Sequence, residues 1–388
     1  MTTTRPEPRT IPFNVPTLLG PEPEAAAAAI AAGIVGAGGP HSRHAEHLIA
    51  QRLGRRALLT TSCTDALLLA MMALEVGEGD EVIVPSFTFV STALVVAVRG
   101  ATPVFADVDP HTLTLDPASA AQHVSPRTRA IVTMHYGGGT GDLAAIVALA
   151  QAHGVPLVED VAHAYGGAYR GRQLGTHGSM GALSFGSLKN LQCGEGGAVL
   201  ADEPELVERL LVLREKGTNR QAFLHGHVDK YTWMGLGGNH MPADYVAAAL
   251  APQLVGYDII QGRRAAQWRR YRTELAAWAA ECGVRLPEER DEVDHTHHIF
   301  WMLLPDMEQR RAFTEWMAAA GIPAPFHYPS LARTPAGAQY GRTEGTPVSD
   351  SVAERLVRLP LHHALTDDEL DRVIERATAW RPDHLEAR

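Results

Sequence analysis

The sequence has little of what several classes of protein require. Its 388 residues include only three cysteines, Cys63, Cys193 and Cys282, which are too few and too widely spaced for a disulfide framework or a zinc site. The formal net charge is −10, and the absence of a basic cluster argues against nucleic acid or an anionic membrane as partner. No apolar run could span a bilayer, and the polar N-terminus lacks a signal core. We therefore expect a cytoplasmic protein that binds neither nucleic acid nor membrane.

Lysine is also scarce, because Lys189, Lys216 and Lys230 are the only lysines among 34 basic residues. Where any cation suffices, arginine serves equally well, and this chain uses arginine almost throughout. Only lysine can readily lose its proton and become an amine nucleophile. The search for such a nucleophile therefore narrows to three positions.

What is present is a regular alternation of short apolar runs and helical patterns between residues 57 and 250. The runs predict strands over 57–62, 81–86, 103–108, 129–136, 155–161, 182–187 and 197–202. Nearly continuous apolar strands separated by helices are typical of a mostly parallel sheet covered on both faces, an α/β fold. Ligands bind at the carboxyl ends of the strands in such sheets. The functional residues are therefore expected in the loops that follow the strands.

The pattern changes beyond residue 250, where a smaller α+β domain is expected. A long helical stretch over 247–283 contains Pro252, which predicts a kink or a break. A strand is predicted over 297–305, followed by helices near 308–320, 349–358 and 366–380. We therefore predict a large domain over 12–250 and a smaller C-terminal domain over 251–388.

Several common site motifs are missing. There is no G-x-x-x-x-G-K-[ST] run, and GGGTGD (137–142) lacks the spacing of G-x-G-x-x-G. The histidine-rich HSRHAEH (41–47) and HTHH (295–298) have no carboxylate that completes a recognised metal motif. We expect neither a P-loop, nor a dinucleotide site, nor a metal.

Residues of two segments together match the requirements of one kind of chemistry. VEDVAHAYG (158–166) places Asp160 at a predicted strand end, and SFGSLKNLQCGEGG (184–197) places Ser184 and Lys189 after another. Taken singly, Asp160 could be a helix cap and Lys189 a solvated loop residue. Together they match pyridoxal 5′-phosphate (PLP), which needs a lysine amine and a carboxylate that keeps the pyridine nitrogen protonated. A hydroxyl and N–H groups at a helix start would hold the phosphate.

The motifs, taken in order, resemble the DegT/DnrJ/EryC1/StrS family of sugar aminotransferases. They are TSCT (61–64), GDEVIVPSFTFVST (79–92), PVFADVD (103–109), VEDVAH (158–163), SFGSLKN (184–190) and GEGG (194–197). The resemblance covers nearly the whole chain. It implies the fold of the type I PLP-dependent transferases, PLP as cofactor and a homodimer with a shared active site.

The resemblance also implies roles for individual residues. Lys189 would be the lysine that bonds PLP, and Asp160 the partner of the pyridine nitrogen. The other implied cofactor contacts are Ser62, Cys63, Thr64, Phe89, His163, Ser184 and, from the neighbouring subunit, Asn239. Cys63 departs from the glycine of many relatives, and Met241-Pro242 replaces a usual arginine-methionine pair after Asn239.

A narrower likeness points to one substrate class. The stretches 214–233 and 326–331 resemble a branch of the family that aminates TDP-4-oxo-6-deoxyglucose at C4, with L-glutamate as donor. Substrate contacts are therefore expected at Lys216, Asn219, Arg220, Tyr231, His327 and Tyr328. A 3-oxo sugar or a cyclitol as substrate, or a non-catalytic regulator that keeps the fold, remain as alternatives.

Overall fold

Strands and helices alternate through most of the chain in the computed structural model, which describes residues 10–382. The strands are β1 (Ala57–Thr60), β2 (Glu81–Pro85), β3 (Thr102–Ala106), β4 (Thr128–Met134), β5 (Leu157–Asp160), β6 (Ala168–Tyr169), β7 (Arg172–Gln173), β8 (Met180–Ser184), β9 (Gly197–Leu200), β10 (Val293–Asp294), β11 (Phe300–Leu303) and β12 (Leu356–Leu359). The helices are α1 (Glu22–Ala31), α2 (Pro40–Leu53), α3 (Cys63–Ala73), α4 (Val90–Val98), α5 (Pro117–Gln122), α6 (Leu143–His153), α7 (Pro204–Arg214), α8 (Arg220–Leu224), α9 (Asp244–Val255), α10 (Tyr257–Glu274), α11 (Ala276–Cys282), α12 (Met307–Ala318), α13 (Pro335–Tyr340), α14 (Pro347–Arg355) and α15 (Asp367–Thr378).

The seven predicted strands form one sheet in the order β1-β9-β8-β5-β4-β2-β3. Strands β8, β5, β4, β2 and β3 pair in parallel. Strand β9 runs antiparallel to both of its neighbours, β1 and β8. The sheet is therefore mostly parallel, as the apolar runs predicted.

Both faces of this sheet are buried, which explains why its strands are apolar almost throughout. Ile83, Val104 and Ile131 point into one core, where α2, α6 and α9 pack. Val82, Phe105 and Val132 point into the opposite core, which contains residues of α3, α4 and α7. Neighbouring residues of a strand face opposite sides, so a strand buried on both faces needs apolar residues at every position.

A third core lies in the C-terminal part of the chain. Trp268, Phe300, Phe313 and Val373 bring α10, β11, α12 and α15 together there. Strand β11 pairs antiparallel with β12. Helix α10 spans two cores, because its Ile260 belongs to the core beneath the large sheet. The division into 12–250 and 251–388 stays our proposal, and residues 383–388 lie outside the described residues.

Two predicted helices differ from the structure. The stretch 247–283 forms α9, α10 and α11, with breaks at Gly256 and Leu275, while Pro252 lies inside α9. A Cβ on Gly256 would meet the end of the half-buried Leu19 side chain, which would have to shift to admit a larger residue at the first break. The helix predicted over 349–358 is wrong for its last residues, because α14 ends at Arg355 and the chain continues as β12. Pairing with β11 decides this, since local pattern alone cannot reveal a distant partner strand.

Within residues 10–382, no helix is both long and apolar enough to cross a membrane. The same part of the chain holds no group of three or more histidine, cysteine, aspartate or glutamate side chains that could bind a metal ion.

Candidate active site

A cavity of about 320 Å³ opens at the carboxyl edge of the large sheet. Met134, Asp160 and Ser184, the last residues of β4, β5 and β8, all line it. The predicted site residues that line this cavity are Ser62, Cys63, Thr64, Phe89, Asp160, His163, Ser184, Lys189, His327 and Tyr328. Residues separated by more than 260 positions in sequence thus meet in one place.

Lys189 lies in the turn that connects β8 to β9. Its backbone N–H donates to the carbonyl of Gly186 at 2.9 Å, which fixes the turn. Its side chain faces the cavity and is half-buried. Burial lowers the pKa of the Lys189 amine, against the opposing influence of Cys63 and Asp160. A lowered pKa increases the fraction of neutral amine, the form that acts as nucleophile or base.

Asp160 ends β5 and is 2% exposed. Its Oδ2 accepts a hydrogen bond from the Thr92 hydroxyl at 3.0 Å, and its Oδ1 accepts one from the Ala162 N–H at 3.1 Å. Burial raises the pKa of this carboxyl group. Asp160 forms no ion pair with another of residues 10–382, although the nearby Lys189 amine opposes the rise of its pKa.

The start of α3 forms another wall of the cavity. Ser62 is the N-cap, and its hydroxyl accepts a hydrogen bond from the Asp65 N–H at 3.1 Å. The next two residues, Cys63 and Thr64, begin the helix, where backbone N–H groups and the helix dipole favour an anion. Cys63 has no positive φ, so its Cβ causes no backbone strain. The predicted phosphate residues therefore lie at a helix start suited to an anion.

The glycine-rich turn after Lys189 has a structural reason. A Cβ on Gly197 would lie 2.5 Å from the carbonyl carbon of Ser62 and 2.6 Å from the N–H nitrogen of Cys63. Only glycine lets β9 approach the start of α3 this closely. Gly197 thereby helps to place the helix start beside the Lys189 turn.

Aromatic and histidine rings fill the remaining side of the cavity. The rings of His163 and His298 stack at 4.1 Å, and those of His327 and Tyr328 at 3.7 Å. The Tyr328 hydroxyl lies 3.2 Å from Nε2 of His163. Burial holds the pKa values of His163, His298 and His327 well below the usual range, so these rings are neutral at pH 7. Phe89 is 50% exposed, and its ring lies 5.8 Å from that of Tyr328.

Five predicted site residues lie elsewhere, in an exposed segment that we call the arm (residues 216–239). They are Lys216, Asn219, Arg220, Tyr231 and Asn239. The Asn219 side chain accepts a hydrogen bond from the Thr232 N–H at 2.7 Å, and Arg220 pairs with Glu215 at 3.2 Å. The structure therefore does not bring these residues to the cavity of the same chain.

The structure also adds residues in or beside the cavity that the sequence did not reveal. Thr92 holds Asp160, and Tyr136 lies with its hydroxyl 2.7 Å from Nδ1 of His327. His298 and Arg358 line the cavity directly. The HTHH run drew attention to His298 only as a metal ligand, and Arg358 fell in a stretch predicted as helix. No local motif marked either residue.

Comparison with known proteins places this geometry in a family. A family model described as the DegT/DnrJ/EryC1/StrS aminotransferase family matches residues 20–378. The chain belongs to this family. It is 37% identical over 329 residues to the dTDP-3-amino-3,4,6-trideoxy-alpha-D-glucose transaminase of Streptomyces venezuelae, covering 84% of this chain and 82% of the relative. The family resemblance noted in the sequence is confirmed.

Solved structures agree with this family membership. The aminotransferase TlmJ from Streptoalloteichus hindustanus superposes with a TM-score of 0.88 at 34% identity, covering 95% of this chain and 98% of TlmJ. DesV from S. venezuelae superposes with a TM-score of 0.87 at 34% identity, covering 96% and 100%. The protein is thus a PLP-dependent aminotransferase with the fold of the type I transferases. The predicted PLP-dependent aminotransferase activity and the predicted fold are both confirmed.

The residues of the cavity fit PLP. Asp160 is a buried carboxylate that forms no ion pair within the described residues, as pairing with a protonated pyridine nitrogen requires. Lys189 supplies an amine of lowered pKa, and the start of α3 suits a phosphate. The pyridine nitrogen, the aldehyde and the phosphate of the cofactor would therefore each have a matching partner in the cavity.

Proposed function

We propose that this aminotransferase transfers the amino group of L-glutamate to a keto carbon of a TDP-linked deoxyhexose. The observation that carries the proposal is the cavity that unites Lys189, Asp160 and the start of α3. The name of the S. venezuelae relative supports the substrate class, because that enzyme produces an amino sugar linked to dTDP.

PLP, when bound, supplies an aromatic ring that delocalises the negative charge developing on a substrate carbon. We assign Lys189 to the proton transfers. Its Nζ accepts the proton from the α-carbon of the amino donor, and in the second half-reaction it returns a proton to the former keto carbon of the sugar. Burial keeps a fraction of this amine neutral and thus able to act as the base.

Other cavity residues hold and orient the cofactor and the substrate in this proposal. Asp160, fixed by Thr92 and the Ala162 N–H, presents its carboxylate to the pyridine nitrogen. Ser62, Cys63, Thr64 and Ser184 bind the phosphate in this proposal, and Phe89 stacks on the pyridine ring. His163, held by Tyr328 at 3.2 Å, lies beside the phenolic oxygen. His327 and Tyr328 contact substrate at the cavity wall.

Two carbons of the hexose, C4 and C3, are candidates for the keto carbon. The likeness of 214–233 and 326–331 to enzymes that aminate at C4 favours TDP-4-oxo-6-deoxyglucose. The S. venezuelae relative is named for an amine at C3, which favours the corresponding 3-oxo-4,6-dideoxy sugar. Both reactions require the same proton transfers at Lys189, so the position of the keto group and the substituent at C4 of the hexose separate them.

The test supplies holoenzyme and L-glutamate with each keto sugar in turn. Formation of an amino sugar together with 2-oxoglutarate is expected, and NMR of the product assigns the aminated carbon and its configuration. The Lys189→Ala enzyme is the control and should give no amino sugar. Turnover of a cyclitol ketone in preference to both TDP sugars would contradict the proposed substrate class.

We also propose that the active enzyme is a homodimer in which the arm serves the neighbouring subunit. Asn239 is exposed and lies outside the cavity of its own chain. The arm carries exposed apolar side chains, with Trp233 75% and Leu236 74% exposed. An exposed apolar cluster of this kind marks an interaction surface.

A further inference from the structure

Arg358 is a cavity residue without an assigned role. It lies in β12 opposite Trp301 of β11 and lines the same cavity as Lys189. Its Nη2 donates to the carbonyl of Phe326 at 2.9 Å, and its guanidinium lies 4.7 Å from the centre of the Phe13 ring. These contacts orient the guanidinium but use only part of its hydrogen-bonding capacity, since arginine has five N–H donors.

The charge of Arg358 is not neutralised within the protein. Arg358 forms no ion pair with any of residues 10–382, and its Nε is buried without a hydrogen-bond partner. Among other buried arginines, Arg214 pairs with Glu46 and Arg55 with Asp202. Arg264 forms no ion pair with residues 10–382 either, but it donates to the carbonyls of His297 and His298 and does not line the cavity. A half-buried cation in a ligand cavity, with donors unused, is suited to an anionic ligand.

The surroundings of Arg358 place this charge near the reacting groups. Its positive charge lowers the pKa of Lys189, and it also lowers those of His163 and His327. Tyr136 and Tyr328 also lie near Arg358, and burial raises the pKa of both phenols, so they stay neutral. The other charged side chains that line the cavity are Lys189, Asp160 and Glu195. Arg358 is therefore the cation that this wall of the cavity offers to a ligand.

Four anionic groups enter an aminotransferase of this kind when L-glutamate is the donor, and the geometry distinguishes them. The γ-carboxylate of glutamate is separated from the reacting α-carbon by two methylene groups. The cofactor phosphate has the start of α3, on a different wall. The diphosphate of a nucleotide sugar is separated from the reacting carbon by the hexose ring. The α-carboxylate of an amino acid is attached directly to the carbon that loses its proton to Lys189, so it must bind close to that lysine.

We propose that the Arg358 guanidinium binds the α-carboxylate of the amino donor and thereby selects an α-amino acid for the first half-reaction. A planar guanidinium can bind a carboxylate through two parallel N–H donors. The proposal rests on the aminotransferase activity and on an amino acid as donor, and it does not depend on which keto carbon of the sugar is aminated.

The two half-reactions provide the test. In the PLP form of Arg358→Gln, the spectral change on mixing with L-glutamate should require about ten- to a hundredfold more glutamate, as expected for loss of charged hydrogen bonds. In the PMP form, the reaction with the keto sugar should keep its apparent affinity. Arg358→Lys should fall between wild type and Arg358→Gln. Arg311→Gln, an exposed arginine on α12, is the matched control and should behave as wild type.

A second amino donor tests whether the α-carboxylate is the group that Arg358 binds. Wild type should prefer L-glutamate over its α-amide, and Arg358→Gln should lose most of this preference. Calorimetry gives a readout without turnover, using 2-oxoglutarate, which has no amine to react with the PLP form. Its affinity should fall in Arg358→Gln by a factor similar to that for glutamate.

Three outcomes would overturn the proposal. An equal loss in both half-reactions, with the donor preference intact, would mean that Arg358 only positions the segment around Phe326. A loss confined to the keto sugar would assign the guanidinium to the diphosphate. Unchanged glutamate and 2-oxoglutarate affinities would show that the guanidinium contacts no donor carboxylate.

Discussion

The cavity and the arm differ in how they hold their functional residues. Cavity residues such as Asp160 and Ser184 are the last residues of paired strands, so the sheet fixes their backbone. The arm is held mainly by its own turns, in which Gly217 has a φ of +69° and packs against Gly235. The cavity therefore gathers its side chains from one chain, while the arm presents its side chains outward.

The exposed fractions of the side chains show the same contrast between the cavity and the arm. Asp160 is 2% and His163 3% exposed, whereas Tyr231 in the arm is 57% exposed. An electrostatic contact in a buried cavity is strong because little water screens it, and the same contact on an exposed segment is weak. Substitutions in the cavity should therefore cost far more activity than substitutions in the arm.

The largest effect is expected for Lys189→Arg. The guanidinium keeps the positive charge but does not release its proton at neutral pH, so kcat should fall by about a thousandfold or more. Borohydride reduction of the wild-type holoenzyme, followed by peptide mapping, should place the cofactor adduct on Lys189. Lys230→Arg, in the exposed arm, is the matched control and should stay active. An adduct on Lys216 or Lys230 would contradict the assignment.

Asp160→Asn should have the next largest effect. The amide keeps the shape of the side chain but removes the negative charge that stabilises a protonated pyridine nitrogen, so kcat should fall by about a hundredfold. Steady-state kinetics and the absorption spectrum of the bound cofactor would measure this effect of the substitution. Asp142→Asn, at the exposed N-cap of α6, removes the same charge outside the cavity and should leave kcat unchanged. A fully active Asp160→Asn enzyme would remove the carboxylate from the mechanism.

Thr92→Val tests how strongly the cavity depends on orientation. The substitution preserves the volume but removes the hydroxyl that donates to Asp160 at 3.0 Å. The loss of one hydrogen bond to a carboxylate should lower kcat by roughly tenfold. Thr92→Ser, which keeps the hydroxyl, should restore most of the rate. Equal losses in both variants would indicate a packing effect instead.

Hybrid dimers test whether the arm serves the neighbouring subunit. Alone, Asn239→Ala should lose about tenfold in activity, through a weakened hold on the cofactor phosphate. Mixed with inactive Lys189→Ala under subunit exchange, it should form hybrids in which one of the two sites combines an intact Lys189 with an intact Asn239. Random pairing then gives roughly a quarter of the wild-type activity. A fully active monomer, or exchange without the expected gain, would argue that the arm serves its own chain.

The smallest effect is expected for Lys216→Ala in the arm. Lys216 is exposed, so a contact with the nucleotide sugar would be screened by water and salt. KM for the sugar should rise roughly threefold to tenfold at low salt, and less at high salt, with the glutamate half-reaction unchanged. An effect on the glutamate half-reaction would instead place Lys216 near the donor.

The sequence alone determined the type of fold and singled out the two residues at the centre of the proposed chemistry. Strands buried on both faces need apolar residues throughout, so their runs are visible without any structure. The strand ends and glycine turn of VEDVAH and SFGSLKN lie within short segments, so Asp160 and Lys189 could be singled out locally. The scarcity of lysine also made Lys189 one of only three possible amine nucleophiles.

Only the tertiary structure decided which distant residues meet around that centre. Arg358 lines the cavity because β12 pairs with β11, and nothing within 349–358 indicates this pairing. His298 stacks on His163 across more than 130 residues of sequence, and the arm lies apart from the cavity although its motifs resembled substrate-binding segments. Such placements depend on long-range packing and strand register, which local patterns do not contain, because a pattern records how a segment is buried and not what it is buried against.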